Sequence, residues 1–249
     1  MSHRNLLTGA ATFVAVLIST AGAASAQTCA TLPDHAKLKA ALIQATKDET
    51  SGLNNHMWGT IVDRDGVVCA VAFSGTDRFS QWPGSRVISA QKANTANAFS
   101  LPGLALSTAN LYTAVQPGGS LYGLQHSNPV DTDTAYRGPS KNYGQQSDPM
   151  VGRKIGGVNV FGGGLALYNK DGKLVGAVGV SGDTSCTDHI VAWKLRKALG
   201  LDYVPGGVSP TSDDNIVYDP ASGWAHPDCG GAAKATAEAL PTTHPISHK

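Results

Sequence analysis

Apolar side chains recur every three to four residues in three segments of the chain, which predicts three helices. The segments are residues 37–49, 86–99 and 187–200. Alanines give the second helix a face of small side chains, which suits close packing against a neighbouring layer. We expect Thr187 or Asp188 to cap the start of the third helix and Gly200 to end it.

Alternation of short apolar stretches with tight turns predicts β-hairpins. The turns contain Asp65-Gly66 and Asp171-Gly172, in which glycine accepts the positive φ that such turns require. Residues 67–73 are apolar on both faces, so this strand should be covered on both sides. Further short strands are expected within residues 154–181. The pattern as a whole predicts an α+β fold, with one antiparallel sheet covered by helices.

Two long segments lack a hydrophobic period. Residues 102–153 are rich in Gly, Pro, Ser, Asn, Asp and Tyr, and a segment of this length within a domain is usually functional or disordered. Residues 201–249 form a Pro/Gly-rich extension. We expect this extension to wrap the domain as far as Cys229 and to be disordered from about Ala232 onward.

The first 26 residues have the layout of a secretory signal peptide. His3 and Arg4 give a short basic start, a mostly apolar stretch follows, and Ala24-Ser25-Ala26 is a small-residue cleavage site. The apolar run is too short for a membrane anchor, which needs about 20 residues. The sequence therefore predicts cleavage after Ala26, a periplasmic or extracellular location, and no membrane span in the mature chain.

The charge balance of the mature chain bears on whether it binds nucleic acids or anionic membranes. Removal of 26 residues from the 249 leaves 223, with 18 basic and 18 acidic side chains. This balance gives no electrostatic reason to expect a nucleic acid or an anionic membrane as partner. The hydrophobic content of 41% is sufficient for a packed core.

The four cysteines are expected to form two disulfides. They are Cys29, Cys69, Cys186 and Cys229, and no C-x-x-C pair indicates a zinc site. Three pairings are open. Loop-closure entropy gives a weak preference for the local pairing, Cys29–Cys69 with Cys186–Cys229.

The glycine-rich segment "VGAVGVSGDTSCTDHIVAW", residues 175–193, has the outline of a strand, a turn and a helix. No lysine follows Gly182, which excludes a phosphate-binding loop, and the glycine spacing is not that of a dinucleotide fingerprint. Gly182 follows Ser181 directly, one place too early for a nucleophile elbow. We therefore assign no catalytic residue and interpret the turn as scaffold.

Several segments together resemble the GlcG/HbpS-like haem-binding family. They are "IVDRDGVVCAVAFSG", "ISAQKANTANAF", "GGGLALYNKDGKLVGAVGVSGD" and "DHIVA". The resemblance spans about residues 38–200 and implies a profilin-like or Roadblock-like α/β/α sandwich around an antiparallel sheet of about five strands. Ala166 stands where the family usually has proline, and residues 102–153 form a longer insertion than is typical.

The resemblance also implies a ligand site and a cofactor. The positions that match the family pattern are Lys92, Thr95 and Phe99 beside a pocket, with Gly162, Gly163 and Gly164 as its glycine wall. Haem is the implied ligand, with Lys92 as a partner for its propionates. His56 is a candidate axial ligand, although an exposed loop histidine is the simpler interpretation. Other residues considered as ligands are His126, His189, His226, Met57 and Tyr112.

Three functions remain open from sequence alone. The first is a secreted or periplasmic haem-binding or related small-ligand-binding protein without catalytic machinery. The second is an enzyme for a small metabolite, with residues 102–153 as a lid. The third is a non-catalytic module that forms a homo-oligomer or binds a partner. Asp131 and Asp133 offer a weak calcium signal, for which a hydrophilic turn is the better interpretation.

Overall fold

The computed structural model describes residues 29–47 and 49–247. Its helices are α1 His35–Lys47, α2 Ser85–Phe99, α3 Leu124–Ser127, α4 Thr132–Ala135, α5 Ser185–Ala198 and α6 Ala233–Thr243. Its strands are β1 Trp58–Asp63, β2 Val68–Phe73, β3 Gly164–Tyr168 and β4 Leu174–Ser181. The predicted signal peptide, residues 1–26, lies outside the described residues. No helix in the described ranges is long and apolar enough to cross a membrane.

The four strands form one antiparallel sheet in the order β2-β1-β4-β3. β1 pairs with β4 along its whole length, from Trp58 opposite Ser181 to Asp63 opposite Gly176. The α+β prediction is therefore confirmed, with four strands among the described residues rather than about five. The segment before β3 does not continue as a strand, because Gly156 and Gly157 have φ values of 62° and 75°.

Helices cover both faces of the sheet. On one face, α2 packs its alanines against Trp58, Val62 and Val71. On the other, α1, α5 and α6 enclose a larger core that includes Ile61 and Val178. Every residue of β1 is buried, as expected for a central strand with apolar packing on both sides.

The predicted helices lie within two residues of their observed bounds, but the cap of α5 differs from the prediction. Thr184 is the N-cap, and its side chain accepts from the backbone N–H of Thr187. Asp188 instead accepts from the backbone N–H of Asp183, which lies before the helix, at 2.9 Å. Its carboxylate therefore fixes the turn that connects β4 to α5.

Residues 102–153 are ordered, and they contribute to the cores on both faces of the sheet: Ala135 and Met150 pack on the α2 side, and Ala109 packs on the other. The segment contains three 3-10 helices, Thr108–Leu111, Thr113–Val115 and Ser140–Asn142, besides α3 and α4. Arg86 of α2 holds it through a buried ion pair with Asp148, in which Arg86 Nε lies 2.8 Å from Asp148 Oδ2. The insertion is thus part of the core rather than a loose connection.

The expectation of a disordered end from about Ala232 is wrong, because residues 233–243 form α6. Ala233, Ala237 and Leu240 repeat at helical spacing and are buried against α5. The indole Nε1 of Trp193 donates to the carbonyl of His244 at 2.8 Å and fixes the end of the helix.

Both disulfides have the local pairing that loop entropy favours. Cys29–Cys69 joins the residues before α1 to β2, and Cys186–Cys229 joins the first turn of α5 to the extension. The extension is therefore covalently tied to the sheet–helix junction.

Candidate functional site

Lys92 and Asp188 form a buried ion pair between α2 and α5. Lys92 Nζ donates to Asp188 Oδ2 at 2.7 Å and to the carbonyl of Val180 at 3.2 Å. Both side chains are 2–3% exposed. Burial raises the pKa of Asp188 to about 6, and the Lys92 ammonium counteracts part of this rise. The charge of Lys92 is therefore already compensated inside the protein.

The glycines at 162–164 allow this pair to form. Gly163 has φ +119°, and a Cβ there would lie 2.4 Å from the Val180 carbonyl and 3.0 Å from Lys92 Nζ. A Cβ on Gly162 would meet the carbonyl of Ser185, and one on Gly164 would meet that of Lys92. These glycines thus permit close packing of β3 against α2 and α5.

A cavity of about 430 Å³, the Lys92 hollow, opens beside the ion pair. It is lined by Trp82, Ser85, Ile88, Lys92, Phe161, Ser181, Asp183, Ser185 and Asp188, among others. Lys92 is the one cation in this lining, against the two carboxylates of Asp183 and Asp188. Asp183 accepts backbone N–H groups from Leu53, Asn55 and Thr184. Its charge is stabilised by the fold, and the hollow carries excess negative charge.

A second cavity, the aromatic groove, adjoins the first at Gly84, which lines both. Its volume is about 270 Å³, and its apolar lining is provided by Trp58, Phe79, Pro83, Val87, Tyr136 and Tyr143. The start of α2 forms one side of the groove and the 102–153 insertion forms the other.

Two guanidinium groups line the aromatic groove. Arg86 lies 3.6 Å from the centre of the Tyr143 ring and is paired with Asp148. Arg78 lies 4.6 Å from the centre of the Phe79 ring, and its Nη2 is 3.5 Å from Ser140 Oγ. Among the described residues that line the two cavities, Arg78 is the one cation without a carboxylate partner.

Of the residues that the family pattern assigns to a pocket, the structure places only Lys92 in the lining of these cavities. Thr95 is buried and bonds to the carbonyl of Gln91 and the backbone N–H of Asn159. Phe99 packs into a separate apolar cluster. His56 is exposed and lines another hollow, near Ser74.

Arg78, Tyr136 and Tyr143 were not identified from the sequence. Arg78 follows β2 in a polar loop, and the tyrosines lie in a segment without period. The signal in the sequence that points to these groove residues is the number of aromatic residues in and just before residues 102–153.

Two other histidines considered as ligands, His189 and His226, are buried and line neither cavity. Burial and the neighbouring Arg196 guanidinium lower the pKa of His189 to about 3, and burial lowers that of His226 to about 4. His226 Nδ1 donates to the carbonyl of Pro227 at 2.8 Å. Both rings are therefore neutral at physiological pH.

Asp131, the weak calcium candidate, and Ser181, at the glycine-rich turn, both have structural roles. Asp131 caps α4 by accepting from the backbone N–H of Thr134 at 2.7 Å. Within the described residues it belongs to no group of three ligating side chains that could hold a metal. Ser181 ends β4, and none of the described histidines hydrogen-bonds to it.

Structural comparison places the chain beside several solved structures. The PduOC:heme complex is 23% identical, with coverage of 74% of this chain and 95% of that one and a TM-score of 0.45. Protein ORFY of Klebsiella pneumoniae is 25% identical, covering 78% and 97%, with a TM-score of 0.43. A double mutant of Streptomyces reticuli HbpS is 16% identical, covering 80% and 99%, with a TM-score of 0.41.

A search of curated proteins found no match. A family model described as haem-degrading protein HbpS-like matches residues 34–196, which is more than half of the chain. This match confirms the resemblance found in the sequence: the chain belongs to the HbpS-like family.

Proposed function

We propose that the protein binds haem, or a closely related planar molecule, in the aromatic groove and without catalytic machinery of its own. The observation that carries the proposal is the uncompensated guanidinium of Arg78 beside an apolar, aromatic cavity. Membership of the HbpS-like family supports haem as the ligand.

The side chains of the groove match the chemistry of haem. Haem needs an apolar slot, a ligand for its iron and a cation for its propionates. Trp58 and Val87 give apolar surface, and Arg78 is free to bind a carboxylate. Haem would supply an iron atom, and the phenols of Tyr136 and Tyr143 are of a type that ligates it.

The Lys92 hollow fits haem less well. Its lining contains no histidine, cysteine, methionine or tyrosine that could ligate iron. Its one cation is paired with Asp188, and two carboxylates would repel the propionates. We therefore place the haem macrocycle in the aromatic groove. The Lys92–Asp188 pair has a structural role, in the support of the groove wall.

We further propose that the protein is exported and acts as the mature chain from Gln27. Two disulfides support an oxidising compartment. N-terminal sequencing of protein recovered outside the cytoplasm tests this proposal. A first residue of Gln27 agrees with it, whereas an intact Met1 contradicts it.

Haemin titration of the mature chain, followed by Soret absorbance, tests the binding proposal. We expect saturation at one haemin per chain. Arg78→Met should weaken binding about 10- to 150-fold, because one charge-assisted contact to a carboxylate contributes about 1.5–3 kcal/mol. Unsaturable uptake by the wild type contradicts the proposal.

Two control variants separate the groove from other positive or aromatic surface. Arg153→Met removes an exposed arginine outside the groove and should leave the affinity unchanged. Phe161→Ala removes an aromatic side chain from the Lys92 hollow alone and should also have little effect. Equal losses in Arg78→Met and Arg153→Met would indicate non-specific charge attraction.

A further inference from the structure

Three side chains with metal-ligating atoms converge at the start of α5, away from the aromatic groove. They are Cys186, His226 and Cys229, whose ligand atoms all lie within 4.8 Å of one another. His226 and Cys229 lie beyond residue 196 and thus outside the segment that matches the family. The arrangement is contributed by this chain's C-terminal extension.

The end of the helix favours negative charge on Cys229 once the disulfide is reduced. The backbone N–H of Cys186 donates to Cys229 Sγ at 3.2 Å, and Ser185 Oγ lies 3.5 Å from the same sulfur. Donors at the positive end of a helix dipole stabilise an anionic group placed there. The thiolate is the form that binds a metal.

His226 is held beside the two sulfurs by its surroundings. Its ring lies 5.1 Å from the ring of Tyr112, and Nδ1 donates to the carbonyl of Pro227. Nε2 is buried and has no hydrogen-bond partner among the described residues. Binding of an ion at Nδ1 would break the hydrogen bond to Pro227 and move the proton to Nε2, where it has no acceptor among the described residues, so the metal–ligand bonds must exceed that cost.

We propose that Cys186, His226 and Cys229 form a site for a thiophilic divalent ion such as Zn²⁺ when the disulfide is reduced, and that oxidation closes the site. Cys186 Sγ lies 3.9 Å from His226 Nδ1. Two such ligands on a tetrahedral zinc ion are about 3.6 Å apart, from usual Zn–S and Zn–N distances. This separation fits a coordinating arrangement once reduction lets the two sulfurs move apart to about 3.8 Å, the spacing of two sulfur ligands on a tetrahedral zinc ion.

The other disulfide lacks these features. Asp63 lies near Cys29 and Cys69, but its Oδ1 already accepts from the backbone N–H groups of Asp65 and Val67 at 2.9 Å. Its carboxylate belongs to the hairpin turn, and no histidine is grouped with this pair in the described chain. The proposal therefore applies to Cys186–Cys229 alone.

The redox step needs a reductant. A dithiol gives two electrons and two protons to the disulfide, is itself oxidised to a disulfide, and leaves two protein thiols. Metal binding then displaces both thiol protons to solvent, while the Nδ1 proton of His226 moves to Nε2. Reoxidation by thiol–disulfide exchange passes two electrons to a second disulfide, which takes up two protons and becomes a dithiol, while the protein S–S bond re-forms and the ion is released.

Cobalt(II) binding to the full mature chain tests the proposal, because a cobalt–thiolate bond gives a charge-transfer absorption. The chain is reduced with a phosphine, desalted without oxygen and titrated with Co²⁺. We expect one Co²⁺ per reduced chain with thiolate charge transfer, and none in the oxidised chain. His226→Asn should weaken binding at least tenfold, whereas the exposed His126→Asn should match the wild type.

Cysteine variants and X-ray absorption complete the test. Cys229→Ser should abolish the charge-transfer band, and Cys69→Ser should retain it. Zinc-loaded reduced wild type should show two sulfur ligands at about 2.3 Å and at least one nitrogen at about 2.0–2.1 Å. A reduced chain that binds no cobalt, whether folded or not, overturns the proposal, as does a sulfur shell without nitrogen.

Discussion

Three buried cations each pair with a carboxylate from a distant part of the chain. Arg86–Asp148 joins α2 to the insertion, and Lys92–Asp188 joins α2 to α5. Arg196 joins α5 to the extension, with its Nη1 2.7 Å from Asp214 Oδ2. Loss of one partner of a buried pair leaves an uncompensated charge and costs about 3–5 kcal/mol. These buried charged side chains therefore hold distant segments of the chain together.

His189 should make stability depend on pH. Its pKa is lowered to about 3 by burial and by Arg196, with an opposing contribution from its hydrogen bond to Asn215. Above the unfolded pKa of about 6.5 its contribution to stability is fully present, and it is lost as the pH falls toward the folded pKa. The expected loss is about 1.4 kcal/mol per pH unit between about pH 4 and 6.

Urea unfolding at several pH values measures this slope. Asp188 acts in the opposite direction, because its raised pKa favours the folded state as the pH falls. The slope of the free energy of unfolding against pH must therefore be compared between the wild type and the variants. His189→Gln should reduce the slope by about 1.4 kcal/mol per pH unit, and the exposed His126→Gln should not change it. Equal slopes in wild type and His189→Gln would show that His189 is not buried neutral.

Gly163→Ala should destabilise the fold by about 1–3 kcal/mol or more, since a side chain at its φ of +119° is strained and meets the Val180 carbonyl. Gly103→Ala is the matched control. Nothing lies within 4 Å of a Cβ at Gly103, so we expect a change within about 0.5 kcal/mol. Thermal unfolding of both variants measures the difference. A neutral Gly163→Ala would contradict the close approach of β3 to Lys92.

At the scale of elements, the spacing of apolar residues predicts a helix or strand correctly wherever that element buries one regular face. Residues 86–99 were predicted as a helix, and α2 spans Ser85–Phe99. The strand count was too high because the glycines before β3 interrupt pairing in a segment whose apolar content is that of a strand. α6 was missed because its stripe of two alanines and a leucine is weak until α5 covers it.

Leu240→Ala tests whether α6 is part of the core. Leu240 is 1% exposed, and its truncation should cost about 2–5 kcal/mol. Leu53, which is 56% exposed, provides the control, and Leu53→Ala should change stability by less than about 0.5 kcal/mol. Urea unfolding compares the two. A similar small effect in both variants would mean that α6 does not pack on α5 in solution.

At the scale of the whole molecule, the aromatic groove could not be predicted from sequence. It brings together Trp58 of β1, Arg78 before α2, and Tyr136 and Tyr143 of the insertion. These positions carry no shared local pattern, because their proximity depends on how the insertion folds back over α2. The family pattern led to Lys92, which lies in the neighbouring hollow and is already paired.

The most direct test of haem binding in the groove is anomalous diffraction at the iron edge from crystals of the mature chain grown with haemin. We expect one iron peak per chain in the groove, next to the Tyr136 or Tyr143 side chain and on the same side of Gly84 as Arg78. A peak in the Lys92 hollow or at the surface, or no iron peak at full haemin loading, would contradict the assignment.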